Sequence, residues 1–506
     1  MKSLRMRMLV AVVAALCCAA ARAELRLPAV FGDNMVLQQG VELPVWGTAG
    51  AGETISVSFN GQEKAAKADA NGKWAVKLPA MQAGGPFELS VSGKDVRLIK
   101  NVLIGEVWVC SGQSNMAMTV SRAANPEQET AKATLPKMRL FIVPNKPADE
   151  PQADCAGRWV ECSPQTAGNF SAMAFFFGRE LHEKLNVPVG LINTSVGGTP
   201  AEAWTPAPAQ KDDPELAAIF TQWEKTIANY PKAMEKHKEE MEKWKKAADE
   251  AKAAGKPEPK PPRAPQGPTS SSRPGVLYNG MVAPLISFGI RGAIWYQGEA
   301  NTGSPPKYQK LLPIMIGCWR QAWGHGDFPF LIVQLPNYMA RKAQPSESRW
   351  AEFRETQMKF VSAVPKCGVS VNIDIGEAED IHPKNKQEAG KRLALNALAN
   401  VYGQKVEFSG PLYQSMKVEG EKAIISFTHT GGGLMAKGDK LTGFAIAGED
   451  KKFVWADATI EGETVVVSSK DVPTPVSVRY AWADNPECNL YNKDGLPAAP
   501  FRTDGK

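Results

Sequence analysis

A chain of 506 residues is too long for one hydrophobic core and calls for about two to four domains. With 43% hydrophobic and 22% charged residues, its composition is that of a soluble globular protein rather than a disordered or fibrous one. The formal charge of +6 falls to +2 once the four cations of residues 1–23 are set aside, which leaves no electrostatic case for a nucleic-acid partner.

Those first residues have the layout of an export signal. Lys2, Arg5 and Arg7 precede an apolar run from Met8 to Ala20, and Ala21-Arg22-Ala23 supplies a cleavage site, so 1–23 is expected to be a signal peptide. The run is shorter than the ~20 apolar residues of a membrane span, and no other stretch could cross a bilayer. Export leaves periplasm, cell surface and medium all open. Six cysteines follow the signal, and Cys155 and Cys162 are the best candidate disulfide, while Cys110 and Cys318 sit in apolar contexts suited to buried thiols. No C-x-x-C or H-x-x-x-H spacing occurs, so neither a metal nor another cofactor is implied.

From Glu24 to about residue 101, short alternating runs are broken by Asn60-Gly61 and Asn71-Gly72, which favour tight hairpins. A small β-sandwich is expected there. From Val102 the texture becomes α/β. Apolar strands are expected at Val107–Cys110, Met138–Val143, Val189–Asn193, Ala293–Tyr296, Phe330–Leu335 and Val369–Ile375. Helices are expected at Ala172–Leu185, Tyr308–Trp323, Trp350–Val364 and Gln387–Asn400. Near-continuous apolar strands alternating with amphipathic helices indicate a parallel sheet covered on both faces, with functional residues at the strands' carboxyl ends. This α/β domain would span 102–405. Within it, 211–262 is rich in Lys, Glu and Ala and then in Pro, and is read as an inserted, solvated helical arm, a hairpin with an extended tether. From 406 to 506 strands return, and a second β-sandwich is expected.

The chemistry centres on Gly105–Met116, a buried strand running into a turn of small polar residues. Ser114, just past the strand end, is a candidate nucleophile; the alternative is an ordinary Ser/Gly/Asn turn. Of five histidines, His182, His237, His325 and His429 suit surface or packing roles. His382 lies in a loop on the same sheet edge, with Asp380 two positions and Glu379 three positions before it, which suits a general base with an orienting acid. Paired Gly197-Gly198 after one strand lets backbone N–H groups approach a ligand. Gln297 and Asn301 follow another strand and could add side-chain donors. Trp204, Tyr278, Asn279, Trp295 and Arg273 could receive a sugar ring or could equally be core packing.

Four ordered motifs carry a family resemblance: Gly112-Gln-Ser-Asn-Met116, Asn193-Thr-Ser-Val-Gly-Gly-Thr-Pro-Ala-Glu-Ala-Trp204, Trp295-Tyr-Gln-Gly-Glu-Ala-Asn301 and Asp380-Ile-His-Pro-Lys-Asn385. They resemble the sialate O-acetylesterase family, within the SGNH hydrolase superfamily of serine esterases, and Phe31–Gln38 resembles that family's N-terminal β-domain. The resemblance implies an SGNH, flavodoxin-like sheet, with Ser114 as nucleophile, His382 as base and Asp380 as acid. Glu379, at the superfamily's usual spacing, is the alternative acid. An oxyanion hole would come from the N–H groups of Ser114 and of Gly197 or Gly198, with the Gln297 or Asn301 side chain. The absence of a G-x-S-x-G elbow argues against the α/β-hydrolase class. The implied substrate is an O-acetylated glycan, 9-O-acetylated sialic acid first, with acetylated xylan or pectin as the alternative. Two flanking β-domains also admit a non-catalytic glycan-binding protein. Oligomeric state is left open.

Overall fold

The computed structural model describes residues 24–505, so the expected signal peptide at 1–23 lies outside the described residues. The organising element is one sheet whose principal strands are β1 (Val96–Gly112), β2 (Leu135–Ile142), β3 (Val189–Ser195), β4 (Gly292–Tyr296), β5 (Phe330–Val333) and β6 (Cys367–Ser370). Their spatial order is β6-β5-β4-β1-β3-β2, all parallel, with the short strand Trp159–Cys162 added antiparallel beyond β2. Read by chain position this is 2-3-1-4-5-6; without the outer parallel strand β2, the remaining five strands β3-β1-β4-β5-β6 stand in the flavodoxin order 2-1-3-4-5. β2 is the addition: the chain crosses from β1 to that outer place first, and β3 fills the place between them after the helix Ala172–Leu185. The fold is thus a mixed α/β architecture with a central sheet and additional β regions.

Both faces of the sheet are buried, which explains why its strands are apolar throughout rather than alternating. Val107 and Val109 of β1 pack on one side with Trp295, Trp319 and Phe353, whereas Trp108 and Cys110 pack on the other with Phe177, Leu393 and Leu398. The helices Pro305–Trp323 and Arg349–Ala363 cover the first face, and Ala172–Leu185 and Lys386–Asn400 cover the second. Cys155 belongs to the first cluster and Cys162 to the second, so the sheet separates them and both are free thiols. The expected disulfide is therefore corrected. Cys110 is buried, while Cys318 is half-exposed.

β1 is 17 residues long. Its first part pairs with Gly84–Ser92 and Val36–Gln38, and its last part with β3 and β4. The division expected at residue 101 thus falls inside one unbroken strand. The N-terminal β region also shares the first hydrophobic cluster, with Phe31 edge-on to Phe288 at 5.6 Å.

The arm is one 40-residue helix, Pro214–Ala253, capped by Asp213, whose carboxylate accepts from the N–H of Glu215 and Leu216. It is not a helical hairpin. Pro231 does not break it, and the Gly255 and Pro-rich residues that follow return as extended chain, because proline cannot supply helical N–H donors. Beyond residue 411, two four-stranded antiparallel sheets share a core built on Phe427, Phe444, Tyr480 and Phe501. The run Phe453–Ile460 holds two strands, Val454–Trp455 and Asp457–Glu461, one in each sheet. Among the described residues no helix is long and apolar enough to cross a membrane.

Candidate active site

Ser114 stands just past β1, at the central strand from which the chain order diverges, where open α/β sheets form their crevice. The turn is fixed from both sides. Gln113 N–H donates to Tyr296 O at the end of β4 (3.0 Å), and Val196 N–H donates to Gly112 O from the end of β3 (3.1 Å). Only glycine fits at 112, where φ is +138° and an added Cβ would lie 2.2 Å from Tyr296 O. Gln113 Oε1 accepts from the N–H groups of Gly298 and Ala300, tying the nucleophile turn to the loop after β4.

His382 comes to this point from the loop after β6. Its Nε2 lies 2.9 Å from Ser114 Oγ, and its Nδ1 lies 3.2 Å from Asp380 Oδ1. The same Asp380 oxygen accepts the backbone N–H of His382 at 2.9 Å. That local Asx-type turn is why a carboxylate only two residues upstream can reach the ring. The carboxylate places the imidazole proton on Nδ1 and leaves the Nε2 lone pair to accept from the serine hydroxyl. The His382 N–H, first of all, and then its ring hold the Asp380 carboxyl below the usual carboxylate range. Glu379 is exposed, and among the described residues the ring's carboxylate partner is Asp380. The other four histidines lie elsewhere: His182 bonds Val187 O, His237 is on the arm, His325 lines a cavity beside the N-terminal strands, and His429 pairs with Glu407.

Gly197 covers the serine closely, since a Cβ there would lie 3.4 Å from Ser114 Cβ. Among the described residues no backbone oxygen accepts from the N–H of Ser114 or of Gly197, so both are available to a ligand oxygen. Gln297 and Asn301 are arranged differently from expectation. Gln297 Nε2 donates to Asn301 Oδ1 (2.6 Å) and Thr199 O (3.3 Å), while Asn301 donates to Glu202 and accepts from Ala201 N–H. Both amides are committed to bracing the 199–202 segment, which corrects their reading as oxyanion donors. Trp204 is a correction too: it is fully buried, its indole N–H donates to Thr199 Oγ1, and its ring meets Trp295 edge-on. Trp295 is equally buried. Tyr278 lines a cavity of about 1170 Å³ between the N-terminal strands and the α/β region, whose lining includes none of Ser114, His382 or Asp380. Asn279 binds the carbonyls of Ala148 and Asp149, and Arg273 pairs with Asp149, so neither is presented to a sugar at Ser114.

Three residues without a role in the sequence reading lie directly beneath the site. Asn115, next to the serine, is fully buried; its Nδ2 donates to Glu299 and to Ile381 O (3.0 Å), and its Oδ1 accepts from Lys386 Nζ (2.7 Å). Lys386 Nζ also donates to Pro383 O at 2.6 Å and faces the Tyr296 ring at 5.4 Å. One amide thus joins the residues on either side of His382 to the turn that holds Ser114. Burial lowers the Lys386 pKa to about 7 and raises that of Glu299 above its ordinary value. Asn115 lay within a quoted motif, but nothing in the sequence marks Lys386 as buried.

An open cleft of about 600 Å³ adjoins Asp380, bounded by Glu377, Glu379 and Lys384 and, from the arm's return leg, by Lys260.

The sequence matches the profile of a family described as carbohydrate esterase, sialic acid-specific acetylesterase, over residues 104–251 and 267–399. A sialate O-acetylesterase from Rattus norvegicus is 31% identical, with 94% of this chain and 94% of that protein covered. The sialate O-acetylesterase of Homo sapiens is 28% identical over 94% of this chain and 92% of its own. The crystal structure of a carbohydrate acetylesterase from Xanthomonas citri matches with a TM-score of 0.81 and 36% identity, covering 96% of this chain and 100% of that one. This chain is an esterase and belongs to the sialic acid-specific acetylesterase family of carbohydrate esterases.

Proposed function

We propose that the enzyme removes O-acetyl groups from sialic acids, the 9-O-acetyl ester foremost, through an acetyl-enzyme on Ser114. The observation that carries the mechanism is the chain of contacts Asp380–His382–Ser114 beneath two uncommitted N–H groups. His382 Nε2 takes the Ser114 proton as Oγ attacks the acetyl carbonyl. The oxyanion forms against the N–H groups of Ser114 and Gly197, each such donor being worth about 10²–10³ in turnover. Asp380 stabilises the imidazolium, which gives its proton to the departing sugar oxygen, releasing it as the free hydroxyl. Water, deprotonated by His382, then attacks the acetyl-enzyme and releases acetate. The overall design is SGNH-like, and the basic, apolar, Ala-x-Ala start of the chain supports export.

The names of the mammalian relatives support sialate, whereas the Xanthomonas citri relative is named only for carbohydrate, which keeps acetylated plant polysaccharide as a second reading. Acetate release from an aryl acetate, from 9-O-acetylated sialic acid and from acetylated xylan is the test. Ser114→Ala is expected to lose about 10⁴–10⁶ in turnover on every ester. Retention of full rate by that variant would overturn the mechanism, and a wild type cleaving only xylan acetate would overturn the substrate.

A further inference from the structure

We propose that Arg263, on the return leg of the arm, is a specificity-determining residue that binds the carboxylate of an O-acetylated sugar acid whose ester lies at Ser114. This rests on the esterase reading of Ser114 and adds the feature by which the substrate is chosen.

The return leg has a defined course. The indole N–H of Trp244 donates to Pro259 O at 2.8 Å, and Gly267 packs against the ring of Tyr230, so the extended chain runs antiparallel along the arm helix between those anchors. The two anchors bracket Lys260 and Arg263. Lys260 borders the cleft beside Glu379 and Asp380. Arg263 Nη2 comes within 3.5 Å of the position a Cβ would occupy on Gly198, the neighbour of the glycine that covers Ser114. The return leg therefore reaches both rims of the catalytic centre, the acid side at 260 and the glycine loop at 263. Through Gly197 and Gly198, with a Cα–Cα step of ~3.8 Å, the guanidinium is no more than about 14 Å from the serine.

Four observations single out Arg263. Arg273 and Arg392 are committed, to Asp149 and to Asp374. Arg263 pairs with no carboxylate among the described residues, and its planar fork matches a carboxylate in two parallel hydrogen bonds. The acid side carries Glu377, Glu379 and Asp380 against Lys260 and Lys384, a net negative charge that favours a substrate anion on the glycine-loop side instead. Residues 252–266 also lie between the two stretches matched by the family profile, which places Arg263 outside the shared catalytic framework. A sialic acid esterified on its glycerol tail carries ester and carboxylate at opposite ends, and can span from the acyl site to a guanidinium within that limit. An acetylated uronic acid offers the same pair of groups.

The full-length enzyme and its Arg263→Gln and Arg263→Lys variants are to be compared on five esters. These are 9-O-acetylated sialic acid, its carboxyl methyl ester, an acetylated galacturonide, acetylated xylan and an aryl acetate. Arg263→Gln is expected to raise KM on the free acid about 10–100-fold, the effect of losing a hydrogen bond to a charged group. Its kcat there should hold, and rates on xylan and aryl acetates should be unchanged. Arg263→Lys should fall between, and the methyl ester should be as poor for the wild type as the free acid is for Arg263→Gln. The two free acids distinguish sialate from uronate as the source of the carboxylate. Equal losses on all esters, no change on either acid, or a wild type that prefers the methyl ester or xylan overturns the proposal. A wild type inert toward aryl acetate overturns the Ser114 mechanism itself, and this proposal with it.

Discussion

The edge of the sheet and the arm beside it are built to opposite standards. At the edge, Gln113, Asn115, Gln297, Asn301 and Lys386 are buried, and each ties one strand-end loop to another. Along the 40 residues of the arm helix only Leu216 and Ala248 are buried, and the return leg is held by contacts such as Trp244 to Pro259. Bond-making needs atoms held within about half an ångström, which a cross-braced edge supplies. Choosing a substrate needs a charge near the right place, which a loosely held segment can provide and a single substitution can change.

The contrast can be broken from the rigid side first. Asp380→Asn should cost about 10²–10⁴ in kcat, since it leaves the imidazole in the wrong tautomer, whereas Glu379→Gln should be near wild type. A loss confined to Glu379→Gln would reassign the acid. Lys386→Met should follow, with kcat down about 10–100-fold and KM little changed, because Asn115 and Pro383 lose the ammonium that joins them. Its pH signature is distinctive. Lys386 titrates near about 7 when folded but near ~10.4 when unfolded, so unfolding takes up a proton between those values and stability rises with pH across that window. Below it, the folded chain bears the full cost of the buried charge. The wild type should therefore gain in Tm on Lys386→Met as pH is raised from 7 towards 10, and parallel Tm profiles would show that the lysine is not buried as described. The smallest effect belongs to the arm. Trp244→Ala frees the return leg from one anchor and should raise KM on acetylated sialic acid about threefold while leaving aryl acetate hydrolysis intact. An equal loss on aryl acetate would mean that the arm holds the catalytic edge together.

What was legible in the sequence followed local chemistry. The helix Ala172–Leu185 shows its apolar face directly in the sequence, and the structure caps it with Ser171, whose hydroxyl accepts from Ala174 N–H. The nearness of Asp380 to His382 is likewise local, an Asx turn closed within three residues. Placement decided by distant partners was not legible. A tryptophan in a Gly-Thr-Pro loop resembles an exposed platform, and Trp204 is buried only because Trp295 and Trp319 close over it. Lys386 is buried by partners that include Asn115, 271 positions away. A Pro-rich run after a charged helix has the composition of a tether, and only its course back along the helix brings Arg263 to the glycine loop.

The unbroken strand from Val96 to Gly112 has a consequence for how this enzyme opens and ages. Its upstream amides belong to the ladder with Gly84–Ser92, and its downstream end carries the nucleophile turn. The N-terminal β region is thus a splint on the serine rather than an appended module. Under native-state hydrogen exchange, amides around Leu98 and around Val109 should open together with one free energy. Proteolytic nicks in the N-terminal hairpins should cost esterase activity while leaving the residues that perform the chemistry untouched.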